Sequence, residues 1–192
     1  MGAFEYLLMF AAVILGLAVS DVVVSLHRLL GAGDRVRWDV LAPMAALVAF
    51  LKIVTQWWSW FATAQIARGL TFEMFLGVLV AVVMMFLLAA AALPDELGEG
   101  PVDLAAHYQR VARRYWLLFA GEIALMTGVD IWAQMAIAHA RFNPATLLSP
   151  VFAIIPAAVV LAFVRNRWLH AIALAGLIVL YLTQFLGRSL AG

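Results

Sequence analysis

An all-α polytopic bundle of six transmembrane helices is the fold class predicted by three observations. Of the 192 residues, 67% are hydrophobic and 12% charged, where an ordinary soluble domain carries about 25% charged residues. Mean hydropathy is +1.04, which is more apolar surface than a globule of this size can enclose, so lipid must solvate part of it. The apolar residues also fall in long continuous runs, not in the alternating ~10-residue segments of a membrane barrel, and helix is then the only spanning choice.

Each run is long enough to cross about 30 Å of hydrocarbon. The first extends from Phe4 to Leu30. It has no basic n-region and no small-residue cleavage site, which predicts a retained helix and not a signal peptide. Gly31 to Asp39 breaks the chain before the second run, Val40 to Ala67, and the third, Leu70 to Leu93, follows closely. The third ends at Pro94 to Pro101, where two prolines and two glycines fall within eight residues, a composition that punctuates regular structure. Asp103 is placed to N-cap a helix that rises through His107, Arg110 and Arg113 into the fourth run, Tyr115 to Ala138. Arg110, Arg113 and Arg114, with Asp103 and Glu99, read as an amphipathic lead-in at the headgroups. Phe142-Asn143-Pro144 reads as a turn before the fifth run, Leu147 to Val164, which contains Pro150 and Pro156. The sixth is Trp168 to Gly187. The connections are short, so residues 1–192 form one transmembrane domain.

Arg28, Arg35, Arg37, Arg110, Arg113, Arg114, Arg165 and Arg167 fall on one side of these spans, and Arg68, Arg141 and Arg188 on the other. The positive-inside rule then puts the first group in the cytoplasm and both termini on the extracytoplasmic side. Trp38, Trp116 and Trp168 flank the basic connections, as interfacial aromatics do.

A net charge of +1 without like-charge runs offers no nucleic-acid footprint. With no cysteine in the chain, disulfides, thiolate metal sites and cysteine nucleophiles are excluded. No esterase elbow, zinc-protease helix, P-loop or dinucleotide fingerprint occurs, so an enzyme is not expected, and no cofactor is implied. The expected partners are membrane lipid and either further copies of the chain or another membrane protein.

Ionisable groups inside the spans are costly and mark function by default. Asp21, Lys52 and Glu122 lie at similar depths, roughly 10 to 18 Å from the cytoplasmic ends at 1.5 Å per residue, and Asp130 lies further out. Lys52, Thr55, Gln56, Ser59 and Thr63 share one face of the second helix. Ser20, Asp21, Ser25 and Arg28 share a stripe of the first. Glu122, Met126, Asp130 and Gln134 follow at steps of four on the fourth, and His170, Tyr181, Gln184 and Arg188 mark the sixth. Three intramembrane carboxyls against one lysine leave an excess of acid, which a proton or cation path can use. The alternative is an Asp21–Lys52 pair that serves packing alone. Trp57, Trp58 and Trp60 are too closely spaced to point one way, so some must line the bundle. His27, His107 and His170 cluster near the cytoplasmic ends and could sense pH or bind a metal. None of them has the local spacing of a metal motif, so separate interfacial histidines are the alternative. His139 stands apart at the other end.

The strings Leu26-His27-Arg28-Leu29, Arg35-Val36-Arg37-Trp38, Trp57-Trp58, Ala92-Leu93-Pro94-Asp95, Asp103-Leu104 and His107-Tyr108 resemble a group of uncharacterised bacterial membrane proteins of about this length. The resemblance implies a six-helix inner-membrane protein with no activity attached. The expected function is a proton or small-cation channel or transporter built on Asp21, Lys52, Thr55, Gln56, Ser59, Glu122 and Asp130. An accessory subunit of a larger membrane complex and a lipid- or quinone-binding protein built on the tryptophans are the alternatives.

Overall fold

The computed structural model describes residues 3–64, 71–98, 100–136 and 149–184. It is helical throughout: α1 (Ala3–Gly31), α2 (Leu41–Ala64), α3 (Phe72–Ala92), α4 (Leu104–Ala136), α5 (Pro150–Phe163) and α6 (Arg167–Gln184). Five of these are long and apolar enough to cross a membrane, and α5 is a shorter apolar helix of 14 described residues. The predicted lead-in and fourth span are one uninterrupted helix of 33 residues. Asp103 caps it as expected, its Oδ1 accepting the N–H of Ala106 at 2.9 Å. The expected turn at Phe142-Asn143-Pro144, and Arg68, His139, Arg141 and Arg188, lie outside the described residues.

α2 is the hub: it packs against α1, α3, α4 and α6, while α4 packs against α3, α5 and α2. The inward stripe of α1 is Leu7, Ala11, Leu15, Ala18, Val22, Ser25 and Leu29, all buried, at the 3- and 4-residue steps of one helix face. α2 contributes Ala42, Ala45, Ala46 and Ala49, and these small side chains let neighbouring backbones approach closely. The opposite faces are apolar too: Val13, Val160 and Ile172 are all more than half exposed. Helices that are apolar inside and out are compatible with a multi-pass membrane protein.

One end of the bundle is tied together by backbone and arginine contacts. After a 3-10 turn at Gly33–Arg35, where Gly33 takes φ +55°, the chain forms strand β1 (Val36–Arg37), which pairs in parallel with β2 (Val102–Asp103). Composition shows Gly31 to Asp39 only as a break, because two-residue strands have no periodicity to detect. Arg28 donates to the carbonyl of Asp95 at 2.6 Å, and Arg35 donates to the carbonyls of Gly98 and Gly100, so guanidinium groups satisfy loop carbonyls that no regular structure pairs. Asp39 reaches Arg167 at the start of α6 at 2.7 Å. The three connections at this end are therefore joined to one another.

Candidate functional site

Lys52 on α2 and Glu122 on α4 meet inside the bundle, Nζ to Oε2 at 2.5 Å. Both are buried, at 6% and 0% exposure. Placing both charges there costs several kcal/mol per ion and is repaid only through close pairing and further polar contacts. The ammonium lies 5.5 Å from the centre of the Phe119 ring and makes a side-chain hydrogen bond with Tyr181 on α6. Oε1 of Glu122 is buried without a hydrogen-bond partner. Oε2 makes no hydrogen bond of good geometry either, so it meets the lysine as a close ion pair while Oε1 has no polar partner.

Sequence depth grouped Lys52 with Asp21 as well as with Glu122, and the structure selects Glu122. Asp21 is half-buried on α1, in the electrostatic field of Arg28 and Asp95. Depth fixes a residue along the helix axis but leaves its azimuth open. Asp130 is exposed, as is Gln134, whereas Glu122 and Met126 are buried. Steps of four rotate by about 40° each on a helix of 3.6 residues per turn, so the predicted stripe winds out of the interior by its third member. On α2, the Thr55 hydroxyl donates to the carbonyl of Lys52 at 3.0 Å, and Gln56 and Ser59 are half-buried. The side chain of Thr63 lies outside the described residues. Trp60 is buried, Trp58 half-buried and Trp57 38% exposed, so of the three candidate lining indoles Trp60 chiefly faces the interior.

A second buried polar group lies nearer the tied end; the sequence singled out its histidine but not the partners around it. His170 on α6 is 3% exposed. Its Nδ1 faces the indole nitrogen of Trp116 at 2.9 Å and the hydroxyl of Tyr108 at 2.9 Å, and its Nε2 faces the carbonyl of Val164 at 2.9 Å. An indole nitrogen only donates and a carbonyl only accepts. The imidazole therefore carries its proton on Nε2, and Nδ1 accepts. Trp116 also donates to the Tyr108 oxygen at 3.2 Å. The available signal was the eight-residue spacing of Tyr108 and Trp116, which puts both on one face of α4, together with the need of a buried indole for an acceptor.

The three histidines are not brought together. His27 is exposed on α1, while His107 is half-buried and hydrogen-bonded to the backbone of Ala91. Among the described residues no three His, Cys, Asp or Glu side chains are grouped to hold a metal ion. Between the two polar groups, buried Tyr115 donates to the carbonyl of Ala45 at 2.8 Å and lies in the electrostatic field of both Tyr108 and Tyr181. A column of titratable side chains thus runs along α4 from His170 and Tyr108, through Tyr115, to Glu122, Lys52 and Tyr181.

No family model, curated protein or solved structure matches the chain. The functional reading rests on this column.

Proposed function

We propose that the chain is a six-span protein of the bacterial inner membrane, with both termini extracytoplasmic, that passes protons along α4 through the Glu122–Lys52–Tyr181 group. The observation that carries this reading is the buried ion pair whose carboxylate oxygens make no hydrogen bond. A carboxylate beside an ammonium at this distance can exchange a single proton to become acid and amine with no change in net charge. That exchange avoids the cost of moving an isolated charge through a low-dielectric interior. A proton delivered to Glu122 from the side of Tyr115, as the Lys52 ammonium gives one up towards Tyr181 and the polar face of α2, leaves a neutral acid and amine. Transfer of the proton from acid to amine restores the pair with one proton moved. A proton fits better than a metal cation, because the lysine already occupies the position of a cation on Glu122. The eight-to-three arginine asymmetry supports the orientation and makes the tied end cytoplasmic.

The test is proton flux in liposomes containing a trapped pH dye, driven by a potassium diffusion potential. Wild-type protein is expected to acidify the lumen faster than empty vesicles. Lys52→Met/Glu122→Leu, which leaves neither charge behind, is expected to remain folded and to conduct nothing. Wild-type flux no greater than that of empty vesicles would overturn the reading and leave the pair as a packing element of an accessory subunit.

A further inference from the structure

Near the tied end, α4 and the α5–α6 connection enclose a crevice of about 670 Å³ whose wall includes Arg110, Arg113, Arg165, Arg167, Gln109 and Phe163. Four arginines from two separate parts of the chain line it. The crevice is not a helix face that happens to be basic. Asp39 neutralises one of them, Arg167, and the Arg113 guanidinium stacks 4.9 Å from the centre of the Phe163 ring. Among the described residues, Arg110, Arg113 and Arg165 have no carboxylate partner. Three exposed cations lining one concavity repel one another weakly, and an anion that joins them turns that repulsion into attraction.

The choice of residue narrows the anion. Lys52 is the only lysine in the chain, and every other basic residue is arginine. Lysine satisfies the positive-inside rule equally well, whereas the planar guanidinium fork matches the paired oxygens of a phosphate. Below the crevice, the seam between α4, α5 and α6 opens into an apolar slot of about 250 Å³ lined by Trp116, Ile154, Ala158, Leu161, Gly176 and Leu180. Leu161 borders the slot and its neighbour Ala162 borders the crevice. The hydrogen-bonded pair Trp116–His170 joins the two, with Trp116 in the slot wall and His170 in the crevice wall. A basic concavity over an apolar slot, at the level where the apolar helices end, has the polarity of one phospholipid molecule.

We propose that this crevice binds the phosphate group of an anionic phospholipid, with an acyl chain lying along the α4–α5–α6 seam. The proposal rests on the membrane topology and not on the proton path. Its readout is lipid retention, so either can fail without the other.

The test is native mass spectrometry of the purified protein offered equal amounts of phosphatidylglycerol and phosphatidylcholine, with and without millimolar inorganic phosphate. Phosphatidylglycerol is expected to be retained over phosphatidylcholine. Arg165→Gln is expected to lower that retention about tenfold, the size of one charge-assisted hydrogen bond. Arg37→Gln, which removes the same charge from an exposed position on β1 at the same end, is expected to change it less than about twofold, since a general surface attraction is weak. Equal retention of the two lipids, or equal effects of the two substitutions, would overturn the site. Displacement of phosphatidylglycerol by inorganic phosphate would support the phosphate chemistry and overturn the lipid as its source.

Discussion

Lys52 and Glu122 hold their charged atoms 2.5 Å apart with side-chain exposures of 7% and 0%, and neither has water to turn to if the other is lost. Lys52→Met should therefore strand a buried carboxylate and destabilise the protein by about 3–5 kcal/mol, and Glu122→Leu should do the same by stranding an ammonium. Lys52→Met/Glu122→Leu should recover most of the loss, because a buried pair replaced by apolar groups of similar volume is often neutral. Thermal unfolding in detergent followed by circular dichroism measures the cycle. Additive losses in the double variant would mean the two charges do not depend on each other.

The limits of the sequence show in this same pair. The apolar helical runs and the Asp103 cap were legible because they follow from hydropathy and from capping chemistry, both local properties. That Lys52 and Glu122 are interior was legible from their cost in lipid. Which carboxylate the lysine would meet was not, since it depends on how α2 and α4 are rotated against each other. The pairing of Val36 with Val102 and the placing of Arg165 and Arg110 on one crevice were hidden for a related reason. They join parts of the chain far apart in sequence, and isolated arginines near span ends look alike whether they anchor in headgroups or line a crevice.

The His170 network predicts an ordering among its members. Trp116→Phe removes one N–H and leaves Nδ1 its contact with Tyr108, a loss of about 1 kcal/mol. His170→Ala removes the shared acceptor of the Trp116 indole and the Tyr108 hydroxyl, which keep only their 3.2 Å bond to each other, and the partner of the Val164 carbonyl; each buried group left unpaired costs about 1–3 kcal/mol. The alanine variant should therefore melt well below the phenylalanine variant. Equal melting temperatures would show that the indole, and not the imidazole, organises the group.

Asp39 does two things, and its partner does one. Its Oδ1 accepts the N–H of Leu41 at 3.0 Å, capping α2, and its Oδ2 pairs with Arg167, whose side chain is 61% exposed. A pair so exposed is worth less than about 1 kcal/mol, so Arg167→Gln should be nearly silent in thermal unfolding. Asp39→Ala loses the cap as well and should cost about 1–2 kcal/mol. If Arg167→Gln matches Asp39→Ala, the ion pair and not the cap secures the start of α2.

Two glycines at the α3–α4 contact separate steric need from helix preference. A Cβ on Gly77 would stand 2.7 Å from Cγ2 of Val129, and one on Gly121 would stand 2.8 Å from Cε of Met84. The distances are nearly equal, but the obstacles differ. Valine has two heavy atoms on Cβ and one strongly preferred rotamer in a helix, so it cannot turn aside. The methionine methyl ends three rotatable bonds and can swing away. Replacing glycine by alanine inside a helix gains about 1 kcal/mol in propensity, while overpacking costs about 1–3 kcal/mol. Gly121→Ala should therefore be neutral or mildly stabilising, and Gly77→Ala should be destabilising by about 1–2 kcal/mol, because α3 and α4 must part to admit the methyl. Gly77→Ala/Val129→Ala removes the clashing methyl and should recover part of that loss. Thermal unfolding of the three variants decides the matter: if Gly77→Ala is as well tolerated as Gly121→Ala, close backbone approach at Gly77 is not what holds α3 against α4.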